Sequence, residues 1–153
     1  MRNILFLCTG NSARSIMAEA YMNKAGAGGW RAFSAGSKPT GAPNPFALQT
    51  LRNHDIPLGA EMLRSKSWYE FADDDAPIMD VIVTVCDNAA GETCPIWPAK
   101  GGARPRNLHW SFPDPAAVEG DEEEKRAAFE KVFFDIRMYI DDFLSDNKET
   151  GAP

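Results

Sequence analysis

The chain alternates short apolar, β-branched runs with longer amphipathic stretches, separated by polar segments rich in glycine or proline. Asn3-Ile4-Leu5-Phe6-Leu7 is the kind of run that forms a strand buried on both faces, and Ile16 to Lys24, with its Met, Ala and Glu, favours a helix. Gly26-Ala27-Gly28-Gly29 breaks that period, and Trp30 to Ala35 predicts a second strand. Beyond the turn-rich stretch 36–43, Asn44 or Pro45 opens a second helix with Phe46, Ala47, Thr50 and Leu51 at helical spacing, closing near Asn53-His54 ahead of Ile56-Pro57. Ser67 caps a short turn through Trp68, Tyr69 and Phe71, and Asp73-Asp74-Asp75 reads as a solvated loop. Val81 to Val85 is β-branched enough for a central third strand, and Asn107 to Trp110 predicts a fourth. From Glu119 to Asp146, Phe129, Val132, Phe133, Ile136, Tyr139, Ile140, Phe143 and Leu144 recur at three- and four-residue steps, the mark of a long helix with one buried face. Its acidic start suits the helix dipole.

Strands alternating with helices predict a three-layer α/β fold with a parallel sheet and right-handed crossovers. In a flavodoxin-like order, 2-1-3-4, the first and third strands are neighbours, about 4.8 Å apart, and the switch point lies beside them. Their C-terminal ends carry Cys8 and Cys86, so two thiols face one crevice. Residues 1–147 read as one domain and 148–153 as a flexible tail. A net charge of −6 argues against a nucleic-acid binder or an anionic-membrane binder, since both need a basic face. The stretch before Cys8 is too short for a signal-peptide core, and no later segment approaches the roughly 20 apolar residues of a membrane span. The expectation is a soluble, cytoplasmic monomer. Three cysteines, an odd number, suit catalytic or redox use better than a static disulfide framework.

That reading gives weight to Cys8 through Ser15, C-T-G-N-S-A-R-S, which sits between the first strand and the first helix. Free N–H groups and the dipole at a helix N-terminus attract an anion, so Thr9, Gly10, Asn11, Ser12, Ala13 and Arg14 form a candidate oxyanion cradle. The same surroundings favour the thiolate of Cys8, with the Ser15 hydroxyl placed to donate to it. Arg14 offers a planar fork to two oxygens of a tetrahedral dianion. The plainer alternative is a buried, inert cysteine beside a solvated arginine. Asp114, held between Pro113 and Pro115, is either a general acid or a capping acid in a proline turn. Cys86 and Cys94 are either a redox pair or two unrelated cysteines, and a C-x7-C metal site lacks further ligands. His54 and His109 read as structural and Trp110 as core, while Trp97 could wall the crevice. Lys100, Arg104 and Arg106 form a basic cluster that is either solvated or helps to attract an anion or a reductant.

C-T-G-N-S-A-R-S, followed by Met17-Ala18-Glu19-Ala20, Ser34-Ala35-Gly36 and Pro113-Asp114-Pro115, resembles the low-molecular-weight protein tyrosine phosphatase superfamily over nearly the whole chain. The resemblance implies Cys8 as nucleophile, Arg14 as oxyanion clamp and Asp114 as the acid that protonates a leaving oxygen. Within that superfamily, Val85 to Pro95 is similar to the redox segment of arsenate reductases, which implies a relay in which Cys8 attacks arsenic and Cys86 and then Cys94 resolve. An external thiol reductant follows: thioredoxin, or glutaredoxin with glutathione. No tightly bound cofactor is implied, and phosphate or sulfate would compete with arsenate. Asn11, Glu19 and Ser34 match positions that brace the loop and, in some of these reductases, bind a monovalent cation. Two rivals remain: a phosphatase working through a Cys8 phospho-cysteine with Asp114, and a sensor that binds arsenate without turnover. Ala116, standing where many tyrosine phosphatases carry a tyrosine after D-P, counts against the first.

Overall fold

The structure, a computed structural model, describes residues 1–58, 63–72, 75–85 and 105–147. Within them, strands β1 (Arg2–Cys8), β2 (Trp30–Gly36), β3 (Val81–Thr84) and β4 (Arg106–His109) form one parallel sheet in the order β2-β1-β3-β4. This is the expected flavodoxin-like order. Register places Cys8 opposite Gly36 and Leu7 opposite Thr84. Pairing continues one residue beyond β3, with Val85 N–H donating to Leu7 O at 2.9 Å.

Strand alternation divides the core. Ile4, Phe6, Val81 and Val83 face α1 (Arg14–Ala25), α2 (Pro45–Asn53) and α3 (Glu122–Asp146), whereas Leu5, Leu7 and Ile82 face Phe71 and Met79 beneath a 3-10 turn at Trp68–Phe71. Helical segments therefore cover both faces. The α3 stripe buries Phe129, Val132, Phe133, Ile136, Ile140 and Phe143. Tyr139 departs from the expected stripe: it is 45% exposed, with its ring against Trp110 and Phe112. Trp110 packs on Phe6 and Phe143, half-buried against the edge of the core.

Several termini shifted for identifiable reasons. α3 starts at Glu122 rather than Glu119 because Asp121 and Glu124 form a capping box. Asn44 caps α2 through Phe46 N–H, with Pro45 at the first helical position, and Ser67 caps the 3-10 turn through Tyr69 N–H. α1 begins at Arg14, two residues earlier than the expected Ile16, so the guanidinium rides on the first turn of the helix. His54 closes α2 and meets Glu130 at 2.6 Å, and His109 meets the Thr84 hydroxyl at 2.7 Å. Among the described residues no helix is long and apolar enough to cross a membrane. Cys86, Cys94, Trp97, Lys100, Arg104, Asp73, Asp74 and the tail 148–153 lie outside the described residues.

Candidate active site

The loop between β1 and α1 is held from outside by its carbonyls. Thr9 O accepts from Lys38 N–H at 2.9 Å, Gly10 O from Thr40 N–H at 3.0 Å, and Ser12 O from Asn44 N–H at 2.8 Å. Ser65 Oγ also donates to Gly10 O at 3.2 Å. In a trans peptide the carbonyl and the following N–H point in opposite directions. The amides of Gly10, Asn11 and Ala13 are thereby turned away from those carbonyl partners, toward the inside of the loop. Asn11 bears this out: its N–H donates to Cys8 Sγ at 3.2 Å. Asn11 reaches that position with φ of 45°, in the left-handed region that asparagine tolerates better than most residues.

A directional chain of hydrogen bonds leads to the sulfur. The Lys66 backbone N–H, which can only donate, gives to Asn11 Oδ1 at 2.8 Å and so fixes the orientation of the amide. Asn11 Nδ2 must then donate to Ser15 Oγ, at 2.8 Å. Ser15 Oγ lies in turn 2.9 Å from Cys8 Sγ, a hydrogen bond in which either atom can be the donor. Cys8 is 2% exposed, and Asn11 and Ser15 are fully buried. Asn11 N–H and Ser15 Oγ therefore converge on a buried sulfur.

Arg14 is buried behind the loop and ties it to the segments that follow β3 and β4. Its Nη1 donates to Phe112 O at 3.0 Å and reaches Val85 O at 3.5 Å. Nη2 lies 3.9 Å from Asp114 Oδ2. Asp114 is the capping acid of a proline turn, and it also faces Arg14. Oδ1 caps the 3-10 turn Pro115–Ala117 by accepting from Ala116 N–H at 3.0 Å, while Oδ2 turns toward Arg14. Its side chain remains 41% exposed, so the acid sits at the mouth of the site.

Behind the loop, Glu19 and Ser34 come together with Lys66. The Ser34 hydroxyl donates to Glu19 Oε1, and Lys66 Nζ stands 3.5 Å from the same oxygen. Burial pushes the Glu19 carboxyl up, against the pull of Lys66, and pushes the Lys66 ammonium down. Chemically, the assembly offers a buried nucleophile under inward-facing amides, with a guanidinium and an acid at one edge.

A sequence model of the low molecular weight phosphotyrosine protein phosphatase family matches residues 3–151. The chain belongs to this family. Family membership does not by itself separate phosphatases from reductases. The chain is 37% identical to an arsenate reductase of Bacillus licheniformis over 151 residues, covering 98% of this chain and 97% of that one. It is 35% identical to an arsenate reductase of Bacillus subtilis over 146 residues, covering 95% and 96%. The structure of an arsenate reductase from Archaeoglobus fulgidus superposes with a TM-score of 0.65 at 27% identity, covering 90% of this chain and 98% of that one.

The fold brings together Cys8, Thr9, Gly10, Asn11, Ser12, Ala13, Arg14, Ser15 and Asp114, and places Glu19 and Ser34 behind them. Ser65 and Lys66 escaped the sequence reading, because an R-S-K-S stretch in a loop reads as solvated until the fold sets it against residues more than 45 positions away. Gly36 was legible only as part of a motif. Its role is spatial, because a Cβ there would meet Thr9 O at 2.5 Å.

Proposed function

We propose that this protein is an arsenate reductase that passes electrons through three cysteines. The observation that carries the proposal is the Cys8 sulfur, held by the Asn11 N–H and the Ser15 hydroxyl beneath inward-facing amides, in a chain related over its full length to arsenate reductases. Arsenate would lie in the loop, its oxygens bound by the amides and Arg14. Cys8 attacks arsenic and forms an S–As bond, while Asp114 gives a proton to the departing oxygen, which leaves as water. Cys86 then attacks the Cys8 sulfur. The S–As bond breaks with its electron pair passing to arsenic, so As(V) becomes As(III), arsenite departs, and a Cys8–Cys86 disulfide remains. Cys94 attacks Cys86, frees Cys8 as thiolate and leaves a Cys86–Cys94 disulfide, which two electrons from thioredoxin reduce. Support for Cys86 as the second thiol comes from β3, which pairs with β1 as far as Val85, the residue just before it in the chain.

Cys94→Ser tests the relay. The variant should release about one arsenite per protein and then stop, and sustained turnover with thioredoxin would refute the three-cysteine scheme. Running the same assay with the glutaredoxin and glutathione system distinguishes the two reductants. A phosphatase shares the loop and Asp114 but has no use for Cys86 or Cys94. Efficient phosphoester hydrolysis that survives loss of both cysteines, with no arsenite formed, would favour it.

A further inference from the structure

Lys66 stands where the family resemblance reserves room for a monovalent cation. Its side chain is 7% exposed. The ammonium donates to Arg64 O at 2.9 Å and lies 3.4 Å from Ser34 Oγ and 3.5 Å from Glu19 Oε1. The third residue of the set, Asn11, has its Oδ1 taken by the backbone N–H of the same lysine at 2.8 Å. Among the described residues, Glu19 Oε1, Ser34 Oγ, Asn11 Oδ1 and Arg64 O are therefore already committed, each of them to Lys66. A second unit charge would stand a few ångströms from a largely buried ammonium. The donor set of this chain does not fit an additional cation.

We infer that Lys66 is a tethered replacement for that cation and acts as a positioning residue for Cys8. Ammonium and potassium are similar in size and both are satisfied by several oxygens, so one can stand in for the other at Glu19 and Ser34. A tethered charge is present in every molecule, whatever the salt. The same residue starts the chain of bonds that runs through Asn11 and Ser15 to the sulfur. The side chain and the backbone of Lys66 thus work together: the ammonium anchors residue 66 to α1 and β2, and the anchored N–H orients Asn11. A surface hollow of about 410 Å³, lined in part by Glu19, Arg64 and Lys66, connects the cluster to solvent.

The inference rests on reading the Cys8 loop as an oxyanion site, but it is tested without arsenic chemistry, so it can fail independently of the reductase assignment. Binding of inorganic phosphate and thermal melting are measured in potassium, sodium and choline chloride at equal ionic strength. For the unmodified protein both should be the same in all three salts, and potassium-specific tightening or stabilisation would overturn the inference. Lys66→Ala opens the ammonium position. In choline chloride it should bind phosphate about fivefold or more weakly, and potassium or methylammonium should restore most of the loss. Lys66→Met fills the position with an uncharged chain, so it should show the loss without the rescue. A folded Lys66→Ala protein that binds phosphate normally in choline, or that no cation restores, would reduce Lys66 to a packing role. If Lys66→Ala does not fold, the salt comparison on the unmodified protein still decides.

Discussion

Gly36→Ala is the sharpest test of how the site is built. Gly36 lies opposite Cys8 in the β1–β2 register, and its N–H donates to Lys66 O at 2.9 Å. An added Cβ would meet Thr9 O at 2.5 Å, Cys8 O at 2.9 Å and Asn11 Cβ at 3.0 Å. Such contacts do not occur below 3.0 Å, so Thr9 O would have to retreat by at least 3.0 − 2.5 = 0.5 Å. It cannot retreat freely, because it is bonded to Lys38 N–H, and the loop carries the groups that grip the nucleophile. Overpacking of this kind costs about 1–3 kcal/mol, or a Tm lower by about 3–10 °C for a domain of this size. Displacing a catalytic loop by about 1 Å costs on the order of 10²-fold in rate, so half that movement should lower kcat/KM by roughly tenfold or more. Gly29→Ala is the control: its Cβ would find nothing nearer than Gly26 O at 3.9 Å, and both Tm and activity should stay close to the unmodified values. The measurements are differential scanning calorimetry and arsenate-dependent NADPH oxidation through the thioredoxin system. A Gly36→Ala protein with unchanged Tm and kcat/KM would show that the loop does not depend on this close approach.

Asn11→Ala and Asn11→Gly separate conformation from hydrogen bonding. Glycine tolerates φ of 45° and alanine does not, yet both remove the amide between Lys66 and Ser15, so both should lose about 10-fold or more in arsenite formation, while alanine should be less stable than glycine by about 1 kcal/mol. Asp114→Asn keeps an acceptor for Ala116 N–H and discards the proton; Tm should hold while single-turnover arsenite release slows by about 10²–10⁴-fold, and a rate within a few-fold of normal would remove Asp114 from the chemistry. Glu19→Gln probes the buried cluster by pH. Because burial raises the Glu19 carboxyl above 4.5 in the folded protein, its linked stability is present below 4.5 and is lost as pH rises through the raised value. The Tm of Glu19→Gln relative to the unmodified protein should therefore improve between about pH 4 and about pH 7, and an opposite slope would contradict the raised value.

Much of the fold was legible because its signals are local. Val81 to Val85 and Asn3 to Leu7 announced buried strands by composition, and the α3 stripe announced its buried face by period. Tyr139 fell on the same period yet stayed 45% exposed, because it sits at the margin of the stripe, where its ring packs on Trp110 and Phe112 rather than within the core. Arg14 and Cys8 were legible as a candidate site because only five residues separate them, between the end of a strand and the start of a helix.

What the sequence by itself determined was the order of elements and the choice of Cys8, Arg14 and Asp114 as the candidate nucleophile, clamp and acid, since each lies within a few residues of a strand end. The tertiary structure alone decided what holds them. Asp114 became both cap and neighbour of Arg14 only when the segment after β4 passed beside α1. Gly36 acquired its requirement only when β2 lay in register with Cys8. Lys66, an unremarkable lysine in a polar loop, became the start of the bonding chain to the sulfur because residues 55 positions apart were brought within 2.8 Å. Local periodicity encodes which face is buried, but contacts at such separations are set by the packing of whole elements, and no short pattern in the chain carries them.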